Sequence, residues 1–363
     1  MVSSTDPRRP LRRRACALAC AVFALAVGPT RAASVILQAA ADTTLYEEGD
    51  WISNGMGQHF FAGTNGFNSA RRALIRFAVE EFLPGGATVT SAELTLNLSR
   101  TISGPRDVAL HRLLELWGEG ASDAVGNEGF GAQAQDGDAT WVFRVWPGVS
   151  WATPGGSWIA APSANLPVGG PCIPENGQTA ACGKYRWGTA GTAADVQAWL
   201  DDPAQNFGWI LVGVEASSDS AKRFDSRTHP TASVRPILRV VYTAPVPAGA
   251  VPDGNLVAGE PLLLAKLGGD ELGLTWSPSC VGTDLDYEIY SGAIGAYAGH
   301  TPLTCTTAGA TAATLSLSGP SEYYLIAPRN GVVEGSYGVD SDGNPRPAFP
   351  ATSCLPRAAA PCL

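Results

Sequence analysis

Glycine or proline interrupts this chain about once in every five residues, with 42 Gly and 27 Pro among 363. Long helices have little room in such a sequence, because an interior glycine costs roughly 1 kcal/mol and an interior proline roughly 3. Short strands joined by turns fit it well. Ala92-Glu93-Leu94-Thr95-Leu96-Asn97-Leu98-Ser99 alternates apolar and polar residues strictly, which predicts a half-buried antiparallel strand. Ala73, Ile75 and Phe77 alternate with Arg72, Leu74 and Arg76 and predict a second. Further strands are predicted over 35–39, 207–214 and 237–242, the last opened by Pro236. One helix is predicted: Thr192-Ala193-Ala194-Asp195 reads as a capping box with Asp in place of Glu, and Pro203 ends the run. A single short helix among many strands predicts an all-β fold.

The first 32 residues read as a secretory signal peptide. Arg8, Arg9, Arg12, Arg13 and Arg14 precede an apolar run from Ala15 to Val27, and Thr30-Arg31-Ala32 offers a cleavage site after Ala32. The run is too short to span a membrane, so the expected location is extracellular, without membrane insertion. Residues 33–363 carry 18 basic and 32 acidic side chains, a net charge of −14. That field makes nucleic acid and anionic lipid poor partners. Six cysteines follow the leader: Cys172, Cys182, Cys280, Cys305, Cys354 and Cys362. An even number in an exported chain predicts disulfides, and proximity favours the pairs 172–182, 280–305 and 354–362.

Residues 33–243 form one predicted β-domain, residues 244–259 a stiff Pro/Gly/Ala linker, residues 260–348 a smaller β-domain and residues 349–363 a cysteine-containing tail. The first domain resembles the DNRLRE domain, also classed as carbohydrate-binding module family 96. The resemblance rests on Asp42-Thr43-Thr44-Leu45-Tyr46, Arg72-Ala73-Leu74-Ile75-Arg76-Phe77, Trp117-Gly118-Glu119-Gly120 and Gly137-Asp138-Ala139-Thr140-Trp141. It continues through Pro154-Gly155-Gly156, Asn206-Phe207-Gly208-Trp209, Lys222-Arg223-Phe224-Asp225-Ser226-Arg227 and Arg235-Pro236-Ile237-Leu238. It implies a jelly-roll β-sandwich that holds carbohydrate. This chain departs from the family's pattern at Ser157 and Thr228, where Asp and Glu are usual, so it lacks those two carboxylates. Residues 260–348 are similar to a fibronectin type III module through Leu274-Thr275-Trp276, Asp286-Tyr287-Glu288-Ile289-Tyr290 and Tyr323-Tyr324. That similarity implies a spacer or interaction module.

Three groups of residues are candidates for ligand contact. Trp146, Trp151 and Trp158 stand beside Gly- and Pro-rich turns, where an indole face can be displayed to the C–H face of a sugar ring. Trp117, Trp141, Trp199 and Trp209 are assigned to the core. Arg71, Arg72, Arg76, Arg223, Arg227 and Arg235 form a cluster, of which Arg72, Arg76, Arg223 and Arg227 above all offer planar forks suited to a carboxylated sugar such as a uronate, in competition with the surplus acids of the chain. Asp42, Asp136 and Asp138 are candidates for a structural Ca²⁺, or for Asx-turns. His59, His111, His229 and His300 are isolated in sequence, and no nucleophile elbow, zinc-protease helix or phosphate loop is present. The expected function is therefore non-catalytic binding of a polysaccharide or cell-surface glycan. An adhesive surface protein and a polysaccharide hydrolase are the alternatives.

Overall fold

The protein is described here by a computed structural model covering residues 32–169, 182–297, 299–317, 321–340, 343–347 and 353–362. The expected signal peptide, apart from Ala32, lies outside these residues, as does Cys172.

Among the described residues the fold is all-β, with one α-helix and antiparallel strand pairing in every sheet. In the first domain one layer is built on the long strand Thr88–Arg100. Ile237–Thr243 lies along its first half with Ala32–Gln38 outside it, Lys184–Gly188 pairs across residues 93–97, and Lys222–Asp225 takes the far end. His59–Thr64 then pairs with Lys222–Asp225. The second layer runs Ala41–Tyr46, Ala70–Arg76, Trp209–Gly213, Arg106–Arg112, Ala164–Val168. The layers join where His59–Thr64 crosses over, through Gly63 paired with Arg71 and Thr64 with Ala70. Gly63 has φ +113°, and a Cβ there would meet Ser220 O at 2.9 Å, so the crossover depends on glycine.

Between the layers Leu94, Leu96, Leu98, Phe60 and Phe224 face Ala73, Ile75, Val108, Leu110, Trp209 and Leu211, all fully buried. The predicted alternation in both marker strands is present. Much of its other face is buried as well: Thr95, Asn97 and Ser99 are buried, and Leu74 sits in a second apolar cluster with Trp117, Trp151 and Ile210. Trp199 and Trp209 pack edge to face at 4.6 Å, and Trp117 is buried too. The helix Ala190–Asp201 is capped three residues earlier than predicted. Its cap is Thr189, whose hydroxyl accepts from Gly191 and Thr192 N–H while Thr192 Oγ1 accepts from Thr189 N–H. Asp195, predicted as the reciprocal cap, lies inside the helix and accepts from Trp209 Nε1 at 2.7 Å.

The second domain stacks Leu263–Gly268, Glu271–Thr275 and Ala312–Ser316 against Thr301–Thr304, Asp286–Ala293 and Glu322–Arg329 around Leu274, Trp276, Tyr287, Ile289 and Ile326. Two expectations change here. The 244–259 segment is not a free spacer, since Ala248 and Ala250 are buried, Gly249 N donates to Asp284, and Ala248 bridges to Ala359. The tail that pairs with this segment therefore carries Cys362 to Cys280 and Cys354 to Cys305, with Cα separations of 5.8 and 5.5 Å. Proximity in sequence pointed to 280–305 and 354–362, and it fails because the tail returns alongside the segment that leads into the domain. Cys182 is disulfide-bonded.

Candidate functional site

Strands pointing one set of side chains into the core must point the alternate set away from it. On Thr88–Arg100, Lys222–Asp225 and His59–Thr64 that outward set is Asn97 and Ser99, Arg223 and Asp225, and His59 and Phe61. All six are buried, and the loop around residues 122–131 reaches this strip through Glu128. Glu128 fixes that loop. Its carboxylate accepts from Asn54 Nδ2 at 3.0 Å, His59 N at 2.8 Å and Gln58 N at 3.2 Å, and its backbone is held at φ +61°. Burial pushes its pKa up, but the contacts from His59 and Asn54 outweigh this and hold it below the ordinary glutamate value.

At one end of this polar strip lies a cleft of about 200 Å³ lined by Phe61, Arg71, Arg100, Ile102, Gly129 and Arg223, among others. Arg71 is buried and already committed: both terminal nitrogens reach Glu48 at 2.6 Å, and Nε and Nη2 donate to Gly129 O. Arg223 donates from Nε to Ser99 Oγ at 3.1 Å. Its pKa is lowered, first by burial, with Arg100 adding repulsion and Asp225 opposing it. Arg100 is half-buried and has no ion pair or side-chain hydrogen bond to another of the described residues. Exposed aromatics stand on the loops that line the cleft: Phe67 next to Gly66, 79% exposed, and Phe130 next to Gly129, 72% exposed.

At the other end His59 and His229 approach edge to face, with ring centroids 5.7 Å apart, and Asp225 lies between them. Asp225 Oδ1 is 3.5 Å from His59 Nε2 and 3.9 Å from His229 Nε2. Among the described residues this is the group of His, Cys, Asp or Glu side chains whose ligand atoms converge. It contains none of the three aspartates expected to bind Ca²⁺.

Those aspartates have other work. Asp42 Oδ2 accepts from Arg227 N at 2.7 Å, and burial pushes its carboxyl pKa up to about 8. Asp138 closes a local turn by accepting from Gln135 N at 2.7 Å and Ser122 N at 3.3 Å, and Asp136 is exposed. These contacts are with residues distant in sequence or preceding the aspartate, so neither Asp42 nor Asp138 forms the local Asx-turn offered as the alternative.

The tryptophan and arginine candidates separate in the same way. Trp151 is buried, with its indole N–H donating to Thr140 O at 2.9 Å, so it is not displayed. Trp158 is half-buried and its ring is stacked by Arg72, which also lies over Trp141, at 4.8 and 4.5 Å respectively. Arg72 is further held by two bonds to Glu215, at 2.7 and 2.8 Å. Trp146 is half-buried, before a cis Pro147. Arg76 lies over Trp117 at 5.9 Å, and Arg227 is paired through two nitrogens with Glu119. Arg72 and Arg227 are thus engaged by carboxylates, and of the arginine cluster read from the sequence Arg71 and Arg223 line the cleft. Arg100, Phe67 and Phe130 were not singled out from the sequence. Their signal lies in three-dimensional adjacency, which no local pattern encodes.

No protein-family model and no curated protein matches the sequence. Among solved structures, a β-1,2-glucanase from Parabacteroides distasonis aligns over 84% of this chain and 35% of its own, at 12% identity and a TM-score of 0.18. The chain spans about a third of the length of that structure. No helix of the described residues is long and apolar enough to cross a membrane.

Proposed function

We propose that this is an exported, non-catalytic carbohydrate-binding protein that takes an acidic sugar unit of a polysaccharide in the arginine cleft. The observation that carries the reading is the meeting of Arg71, Arg100 and Arg223 at one small cleft of a net-acidic chain, with Arg100 left without a carboxylate of its own. A guanidinium binds a carboxylate through two parallel N–H···O bonds, and Phe61 supplies an apolar wall for the sugar's C–H groups. Phe67 and Phe130 replace the indoles expected from the sequence as the displayed aromatics. The disulfides support an oxidising compartment.

The cleft's size limits the affinity. It is smaller than the ~300 Å³ at which drug-sized pockets begin, so it admits about one sugar ring. At ~0.3 kcal/mol per heavy atom, a uronate of about 13 heavy atoms gains ~4 kcal/mol, a Kd of ~1 mM. Tight retention then requires a repeating polymer and several copies of the site.

The test is retention on immobilised polyuronate against neutral polysaccharide, with wild type and Arg100→Ala compared. Retention of wild type on the acidic polymer alone, lost in Arg100→Ala with unchanged near-UV circular dichroism, supports the proposal. Equal retention on both polymers, or none, overturns it. Release of reducing ends from the retained polymer would identify a hydrolase instead.

A further inference from the structure

We infer that His59, Asp225 and His229 form a binding site for a divalent transition-metal ion, with Zn²⁺ as the fitting ion. This inference does not depend on the sugar cleft. The three side chains come from two paired strands and the loop after them: His59 and Asp225 are cross-strand register partners, and His229 follows four residues after Asp225. All three are more than nine-tenths buried, at 7%, 0% and 4% exposure. Buried polar atoms are ordinarily satisfied. Here neither ring nitrogen of His59 nor Asp225 Oδ1 has a hydrogen-bond partner among the described residues. Two of these atoms converge with the His229 ring: Asp225 Oδ1 lies 3.5 Å from His59 Nε2 and 3.9 Å from His229 Nε2, and the three side chains bring one ligand atom each to within 4.8 Å of one another.

Tetrahedral zinc with bonds of about 2.0–2.1 Å to nitrogen and oxygen places its ligand atoms about 3.3–3.4 Å apart. The two Asp225 distances, 3.5 and 3.9 Å, lie near that spacing, and the two histidine nitrogens, within 4.8 Å of each other, must draw closer by up to about 1.4 Å to meet it. Two imidazoles and one carboxylate are a donor set suited to zinc, with a fourth position left for water.

The surroundings are arranged as an outer shell. Glu128 Oε1 lies 3.2 Å from His59 Nδ1, the position from which a carboxylate orients an imidazole so that Nε2 faces an ion. Asp225 Oδ2 accepts from Asn97 Nδ2 at 2.6 Å, which fixes the carboxylate with Oδ1 turned to the histidines. One contact opposes binding. Thr231 N–H donates to His229 Nδ1 at 3.1 Å, which leaves that ring's proton on Nε2, facing Asp225. An ion at Nε2 displaces this proton, so the ring takes the Nδ1–H form and the Thr231 bond opens. This tautomer exchange releases no net proton; zinc uptake weakens as pH falls because protonation of the imidazoles competes with the ion.

The experiment uses the full chain without a histidine tag, stripped with chelator, equilibrated with Zn²⁺ and freed of excess by gel filtration. Metal content is read by plasma mass spectrometry and thermal unfolding is followed in parallel. The expected result is about one Zn²⁺ per chain with a raised melting temperature, and a loss of affinity of about tenfold or more in His59→Gln and Asp225→Asn. Wild-type content below about a tenth of an ion per chain overturns the inference, as does full zinc retention in both variants. The wild-type measurement decides the matter even if a variant fails to fold. Because sugar retention is not part of the readout, failure here leaves the cleft proposal standing.

Discussion

Removing the Glu128 carboxylate should destabilise the protein through one identifiable loss. In Glu128→Ala the buried His59 N–H and Asn54 Nδ2–H lose their acceptor, while the more exposed Gln58 N–H can turn to water. Each abandoned buried donor costs about 1–3 kcal/mol, so the substitution should cost about 2–6 kcal/mol. Alanine keeps the cost of the left-handed backbone at φ +61°, whereas Glu128→Gly removes it. The glycine variant should therefore recover about 1 kcal/mol relative to alanine. Glu128→Gln retains an acceptor and should lie nearest to wild type. Urea unfolding of the four proteins, followed by tryptophan fluorescence, reads these differences directly. A cost below about 1 kcal/mol for Glu128→Ala would refute the claim that this carboxylate anchors the loop. A glycine variant no more stable than alanine would refute the backbone part. The same carboxylate is held below its ordinary pKa, so its contribution is present above the unfolded glutamate value and is lost as pH falls through the depressed one.

Three more outcomes follow from the same contacts. Trp151→Ala should cost about 3–5 kcal/mol in urea unfolding, because the ring is buried and its N–H bonded, whereas Trp146→Ala should cost under about 2. Asp42 and Glu288 are pushed up to about 8 and about 9, mainly by burial, so the stability they contribute is full below the unfolded carboxylate values and lost as pH rises through 8 and 9. The urea midpoint should accordingly be lower at pH 9 than at pH 6, and Glu288→Gln should flatten that change. Peptide mapping should recover 280–362 and 305–354 linkages, and with 82 and 49 residues between the partners each bond should contribute about 4 kcal/mol on the chain-entropy account. Reduction should thus lower the unfolding midpoint, with the change concentrated in residues 260–362.

The all-β architecture was legible because period-two alternation and Gly/Pro punctuation act locally, and the strands containing Leu94, Leu96 and Ile75 bear their predicted faces. The helix shifted by three residues because Thr189 and Thr192 cap one another, a pairing that competes with the equally spaced Thr192 and Asp195. The disulfides were misread for a physical reason: the tail returns across a segment more than a hundred residues earlier, and nothing local records that contact. Competition for arginine forks was anticipated and found at Arg72 and Arg227. Which fork would be left over depended on where Glu48, Glu119 and Glu215 landed in space. His59 and His229 met for the same reason, 170 positions apart in the chain and brought together by one strand pairing.

The most direct test of the acidic-sugar account is calorimetric titration of the intact protein with a short uronate oligomer and with its neutral, carboxyl-reduced counterpart. The account predicts saturable millimolar-range binding of the charged oligomer only, weakened by added salt and abolished in Arg100→Ala. Binding of the neutral oligomer with equal affinity, or undiminished binding by the Arg100→Ala protein, would contradict it.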